Sequence, residues 1–293
     1  MLQLAGIAVD AISIGGLETC IQLPGYDLAF DIGRCPRSAV ARETVAYTHA
    51  HIDHLGGIVQ HCATRSMMGM PPPTYLLSST LVADVEHLFD AWRRLDRSDL
   101  PARFVPIDPG ERYALRRDMV LQPFRSPHRV LCQGYALLRT RRRLRADLVG
   151  LPEHEIRDRR LSGEDVTTPV ELPEVAFTGD SLIEVVEHEP LVRTARLLIM
   201  EVTFLDDRVP VAQTRSKGHI HLDEVIARAD LFENEAILFT HLSARHSGPE
   251  ALAILERRLP PGLKERVTLL MPPPDLRWTP SPGPRGPVSK EGA

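Results

Sequence analysis

The chain is poor in cysteine, tryptophan and lysine: its 293 residues hold four cysteines, two tryptophans and three lysines, Lys217, Lys264 and Lys290. Cys20, Cys35, Cys62 and Cys132 lie too far apart for a paired metal-ligand set, and no C-x-x-C occurs, so they read as small buried thiols. Long apolar runs are also missing. The longest are strand-sized, such as Leu197 to Met200, far short of the roughly 18 unbroken apolar residues of a membrane span, so the chain is not expected to cross a membrane. Met1 to Ile7 carry no positive leader and no small-residue cleavage site, which sets the expected compartment as the cytoplasm. Nor is there an excess of positive charge. A net charge of -4 argues against a strongly basic nucleic-acid binder, although a total can hide a local patch.

What is present is an ordinary globular composition, 43% hydrophobic and 25% charged with a mean hydropathy of -0.13, which excludes disordered, collagen-like and coiled-coil classes. The length allows one large domain or two small ones. From Pro272 the sequence turns proline-rich, and proline fixes the backbone and removes donors, so 272–293 is expected to be a disordered tail behind a folded 1–271. Short apolar runs predict strands at 19–23, 28–31, 45–48, 74–77, 103–107, 119–124, 134–138, 175–177, 197–200 and 236–239. Apolar residues at helical spacing predict a helix over 81–95, and Ser247-Gly248-Pro249-Glu250 opens the last long helix as a capping box. Strands interspersed with helices imply sheets covered by helices.

Chemistry concentrates in Thr48-His49-Ala50-His51-Ile52-Asp53-His54. Residues two apart in an extended loop point the same way, so His49 and His51 can grip one metal, while Asp53 and His54, on the turn into a helix, can reach a second. Further candidates follow apolar strands: His128, Asp180 and His241. His49, His51, His128 and Asp180 make one three-histidine, one-carboxylate set; Asp53, His54, His241 and a shared Asp180 make the other. A carboxylate bridging two metals is what a two-metal hydrolase needs. Asp31, at a strand end, reads equally as a group that orients a metal-bound histidine and as a turn cap.

The His-x-His-x-Asp-His core resembles that of the metallo-β-lactamase superfamily. Over roughly 10–258 the surrounding sequence is similar to the tRNase Z (ribonuclease Z) family, especially its plant short forms. The resemblance is carried by Ser13 to Thr19, Leu28 to Pro36, Gln133-Gly134-Tyr135, Ala176 to Asp180 and Phe239 to Arg245. It implies an α/β fold of the αββα type, two Zn2+ ions per subunit with Mn2+ as the alternative, and a homodimer. It also implies a zinc-dependent hydrolase, an endoribonuclease that removes the 3′ trailer of precursor tRNA. The metal assignments above are those of the family, which adds Glu201 and His219 as an acid pair and Asp53 as a catalytic carboxylate; His221 competes with His219 for that role. Between Gly134 and Asp180 the Gly-Pro tip of the bacterial family members' long arm is absent, so any arm is short or differently built. Just ahead of it Arg139, Arg141, Arg142, Arg143 and Arg145 fall within seven residues, readable as phosphate contacts or as a solvated face.

Two other readings compete with this one. A superfamily relative could apply the same metals to a small phosphodiester, a cyclic nucleotide or a lactone, though a lactonase has no need of His219 and Glu201. A non-catalytic metal-binding subunit would be expected to have lost ligand positions, and all seven stand intact. Ligands spread from His49 to His241 must also converge, which favours one domain over two.

Overall fold

Apolar segments that alternate between two faces build two mixed sheets in the computed structural model of the chain, which describes residues 1–272. The first runs β1 (Leu2–Leu4), β2 (Ile7–Gly15), β3 (Glu18–Leu23), β4 (Leu28–Phe30), β5 (Thr44–Ala46), β6 (Thr74–Leu77) and β7 (Arg103–Pro106), with β14 (Leu242–Ser243) added on β2. The second has the spatial order β15 (Val267–Leu269), β13 (Ala236–Thr240), β12 (Leu197–Glu201), β11 (Thr167–Phe177), β10 (Gln133–Leu144), β9 (Met119–Arg125) and β8 (Tyr113–Arg116). Beyond residue 272 the expected tail lies outside the described residues.

Side-chain alternation divides each strand between two cores. Leu197 and Ile199 of β12 face the first sheet, where they meet Phe30, Ala46 and Leu76; Leu198 and Met200 face the other way, into a helical layer. Phe30 stacks on Phe177 and Tyr135 across the gap, with ring centroids 5.2 and 5.9 Å apart. Outside the first sheet lie α1 (Ile52–Leu55), α2 (Ile58–Met67) and α3 (Ser79–Asp96), packed on Val45, Tyr47 and Tyr75. The second sheet is covered by α5 (Glu184–His188), α6 (Pro190–Thr194), α8 (Leu222–Ile226), α9 (Gly248–Arg258) and α10 (Pro261–Lys264), with α7 (Val211–Ser216) leading into the segment that bears His219. The result is the αββα arrangement. Each fully buried Leu, Ile or Phe contributes about 1.5–3 kcal/mol relative to exposure. The expected capping box opens α9, with Ser247 Oγ accepting from Glu250 N–H and Glu250 answering to Ser247 N–H.

Strands β4 to β7 pair in parallel, as do β11, β12, β13 and β15, so their carboxyl ends share one edge of the sandwich. Ligands in open α/β sheets gather at such edges. One expectation needs extension. The strand foreseen at 134–138 continues to Leu144, and beyond Arg139 it pairs with β11 alone, register Thr140 to Leu144 against Thr167 to Glu171. The two strands therefore leave the sheet as a hairpin whose tip holds α4 (Glu153–Leu161), an arm built without a Gly-Pro signature.

Candidate metal centre

Strand β5 ends at Ala46 and delivers Thr48 to His51 into an extended segment before α1 starts with His51 as its N-cap. His49 and His51 thus project from one side, and Asp53 and His54 from the first turn of the helix. Gly33 makes the fit close: a Cβ there would lie 1.9 Å from the Asp53 carbonyl oxygen. At Gly179 (φ +61) the backbone takes the left-handed conformation that glycine accepts and a Cβ would press within 2.8 Å of Thr48. Asp31 and His241 adopt positive φ themselves, 55° and 59°, the kind of backbone strain that clusters at functional sites.

The sequence-predicted residues converge. Ligand atoms of His49, His51, His128 and Asp180 all lie within 4.8 Å of one another, as do those of Asp53, His54 and His241. Asp180 stands between the sets: Oδ1 is 3.3 Å from His54 Nε2 and 3.4 Å from His241 Nε2, while Oδ2 is 3.8 Å from His49 Nε2. Four imidazoles are held through Nδ1. His54 Nδ1–H donates to Asp31 at 2.8 Å, His128 to the Gly218 carbonyl at 2.7 Å, His241 to Thr203 Oγ1 at 3.0 Å and His49 to Thr48 Oγ1 at 2.9 Å. Those tautomers, assigned from the hydrogen-bond network, leave each Nε2 lone pair aimed at the centre. The Nε2 atoms of His54, His128 and His241 are buried without any hydrogen-bond partner, which buried polar atoms rarely tolerate. Orphaned imidazole lone pairs beside carboxylates are the donor set of a divalent cation, so the residues fit a metal.

The electrostatics point the same way. Burial pulls the His49 imidazole down to about 2, with the neighbouring His54 adding to the effect. Burial also opposes charge on His54, yet Asp180 and Asp31 outweigh it and hold that ring well above its ordinary value. Asp180 is held well below the carboxylate range because His241 and His54 overcome its desolvation. Asp31, wholly enclosed, is pushed up by burial. Cation charge is what this concentration of donors calls for.

Beside the clusters, His219 Nδ1–H donates to Glu201 Oε1 at 2.9 Å and lies 3.9 Å from Asp180. Glu201 is almost fully buried and also accepts from Ser181 N–H, Thr203 Oγ1 and Ile220 N–H. Burial works against protonation of His219, but the Glu201 carboxylate raises it to about 9. His221 is bonded elsewhere: its Nδ1 accepts from Asp223 N–H to cap α8, and its Nε2–H faces the Asp206 carbonyl at 3.2 Å. Asp31 likewise resolves towards histidine orientation. Its carboxylate takes His54 on one oxygen and spans Thr48 with both, so it steadies His49 indirectly.

The arginine run takes a different place from the centre. Arg139 and Arg141 face the buried Glu174, Arg142 pairs with Asp165, and Arg145 with Asp147 and Glu164. They belong to the hairpin arm and line neither cavity at the metal clusters. The cations that do line them are Arg125, Arg129, Lys217 and Arg245, none with a carboxylate within 4.0 Å among the described residues. The signals that could have found two of them were adjacency: Arg129 follows His128, and Arg245 closes the His241-Leu242-Ser243-Ala244-Arg245 segment. A cavity of about 350 Å³ is lined by His51, His219, His241, Lys217 and Arg245; a second, of about 870 Å³, is lined by His128, Arg125 and Arg129.

Residues 33–242 match the family described as the β-lactamase superfamily domain. The chain is 40% identical over 271 residues to tRNase Z TRZ1 of Arabidopsis thaliana, covering 92% of this chain and 96% of that protein. It is 34% identical over 248 residues to the chloroplastic tRNase Z TRZ2 of the same plant, 84% of this chain and 70% of that one. The crystal structure of human tRNase Z, short form, superposes with a TM-score of 0.58 at 18% identity over 90% of this chain and 96% of that chain, a likeness of fold.

Proposed function

The chain belongs to the tRNase Z family of the β-lactamase superfamily, and from that premise we propose that it is a metal-dependent endoribonuclease that removes the 3′ trailer of precursor tRNA. The observation that carries the reading is the Glu201–His219 pair beside the clustered histidines: an alkoxide leaving a phosphodiester needs a proton, and a bare metal store has no leaving group for that pair to serve.

His49, His51, His128 and Asp180 would hold one divalent ion and Asp53, His54, His241 and Asp180 a second; the imidazole-rich donor set suits Zn2+, with Mn2+ as the alternative. Such ions supply Lewis acidity, making hydroxide available near neutral pH and offsetting charge on the phosphoryl oxygens. The chain's own groups do the rest. Asp53, fixed by the Gly16 N–H at 2.9 Å, orients the attacking oxygen through its carboxylate. His219 gives its proton to the departing 3′ oxygen, with Glu201 holding Nδ1 so that the other ring nitrogen is free for the substrate. Lys217, Arg129 and Arg245 add positive charge where the phosphate must sit. The products are a 3′-hydroxyl RNA and a trailer with a 5′-phosphate. Arg139, Arg141, Arg142, Arg143 and Arg145 would meet the tRNA body at a distance, from the arm.

We place the working unit as residues 1–271 folded into one domain and assembled as a homodimer. The dimer reading is supported by the face of α3. Leu88, Trp92 and Leu95 are exposed there, and Leu88 and Trp92, with Ile52, border an apolar groove of about 590 Å³. Along the helix Asp84, Glu86 and Asp90 precede Arg93 and Arg94, with Asp96 and the C-cap Arg97 at its end, so two copies packed antiparallel about a two-fold axis would set the acids of the first half against the arginines of the other copy. Among the described residues no helix is long and apolar enough to cross a membrane.

Incubating the purified protein with a 3′-extended precursor tRNA and mapping both ends tests the function. A single cut at the tRNA 3′ end supports it; turnover of bis(p-nitrophenyl) phosphate without tRNA cleavage would leave the small-phosphodiester reading instead.

A further inference from the structure

Two cavities border the centre: His51, His219 and His241 line the smaller, His128 lines the larger, and Arg129 lines both. His219 lines only the smaller one. Chemistry then sets a direction. A group that protonates the departing 3′ oxygen must sit with the nucleotide that carries that oxygen, which places the mature tRNA end in the smaller cavity. The remaining substituent of the scissile phosphorus, the 5′ oxygen of the trailer, leads out the other way. We propose that the cavity of about 870 Å³ lined by Arg125, Arg129, Ser79, Leu131 and His188 is the binding site for the trailer's first nucleotides, with Arg125 as a specificity-determining contact to a trailer phosphate.

The cavity is suited to that occupant. Its volume falls within the roughly 300–1,000 Å³ of sites that enclose a small organic ligand, room for a nucleotide rather than for a phosphate alone. Arg125 closes β9 with an exposed side chain, and neither it nor Arg129 has a carboxylate within 4.0 Å among the described residues. The one acid on the wall, Asp108, is engaged by Ser78 Oγ at 2.9 Å and Ser79 N–H at 3.0 Å, so the wall faces solvent with net positive charge. Val130 and Leu131, 40% and 59% exposed, supply an apolar shelf against which a base face can rest. Arg142 and Arg145 of the arm are matched to carboxylates, whereas Arg125 is a cation still free to meet an anion.

The inference rests on the tRNA-processing reading, and its test separates the two. Full-length wild type, Arg125→Ala and Arg125→Lys are compared on precursor tRNAs carrying a one-nucleotide trailer or one of about ten nucleotides, and on bis(p-nitrophenyl) phosphate. Arg125→Ala should raise KM for the long trailer roughly tenfold while changing KM for the one-nucleotide trailer less than about twofold, with Arg125→Lys recovering much of the loss. Hydrolysis of bis(p-nitrophenyl) phosphate, which carries no second phosphate for Arg125 to meet, should be unchanged in both variants. Unchanged KM on both RNAs, or an equal rise on both, overturns the trailer site while leaving the function standing. A wild type that hydrolyses the small diester and cleaves neither RNA overturns both.

Discussion

Asp31 Oδ2 accepts the Nδ1–H of His54 at 2.8 Å, although 23 residues separate them and Asp31 is reached only through a left-handed backbone turn. The bond fixes the tautomer that leaves His54 Nε2 free. Asp31→Asn should therefore lower metal affinity about 10- to 100-fold with the fold retained, read by competition with a chelator and by far-ultraviolet circular dichroism. Wild-type affinity in that variant would mean that His54 is oriented by something else.

The same bond shows where sequence reading ends. His49 and His51 are legible because extended residues two apart share a side, a purely local rule. Whether Asp31 caps a turn or reaches a histidine depends on how β4 approaches α1, and no local pattern carries that. The paired cores were legible in outline from runs such as Leu197 to Met200, whose apolar residues on both faces announce a strand covered on both sides. The arm was hidden because Arg139 to Arg145 reads as charge rather than as strand; its partners Asp165, Glu164 and Glu174 come from the returning strand or its approach, 19 to 35 residues later in the chain. His219 and His221 could be told apart only once the ring of His221 was found capping α8.

Gly33 has no freedom to grow. A methyl group there would meet the Asp53 carbonyl at 1.9 Å, and backbone has no rotamer with which to step aside. Gly33→Ala should cost about 1–3 kcal/mol of stability through overpacking and displace Asp53. Thermal denaturation with parallel metal analysis checks it; full metal content with an unshifted melting point would contradict the close approach.

His61 gives a pH dependence away from the metal clusters. Its ring lies buried between the Tyr75 hydroxyl and the Ala39 carbonyl, and burial, helped by Arg65, lowers it to about 4. The folded value is depressed, so His61 contributes stability above its unfolded value near 6.5 and loses it as pH falls towards 4. Between pH 7 and pH 5 the loss should be roughly 2 kcal/mol. Urea midpoints of wild type and His61→Gln at the two pH values measure it: the variant should show a shallower decline, and parallel declines would remove His61 as the cause.

The proposed dimer face is open to a direct test. Leu88→Glu with Trp92→Glu places two carboxylates on the exposed apolar face of α3, where a second copy would have to desolvate them. Sedimentation velocity should show a dimer for wild type and a monomer for the double variant, with unchanged circular dichroism. A monomeric wild type would remove the pairing of α3 with itself.

The strongest separation of roles comes from leaving groups. In tRNA the departing 3′ oxygen is an alkoxide of high basicity, so proton donation from His219 should contribute about 10²- to 10⁴-fold to kcat. In bis(p-nitrophenyl) phosphate the departing p-nitrophenolate is stable without a proton, and the same donation contributes little. His219→Ala should thus lose about 10²- to 10⁴-fold in kcat on precursor tRNA while keeping most of its activity on the small diester. Glu201→Gln, which keeps a hydrogen-bond acceptor for Nδ1 but removes the carboxylate's charge, should fall between wild type and His219→Ala on tRNA. Equal losses on both substrates would mean that His219 supports the metal clusters through Asp180, 3.9 Å away, instead of handling the leaving oxygen. Metal content measured on the same preparations decides between those outcomes, because a proton donor can be removed without loss of metal and a supporting ligand cannot.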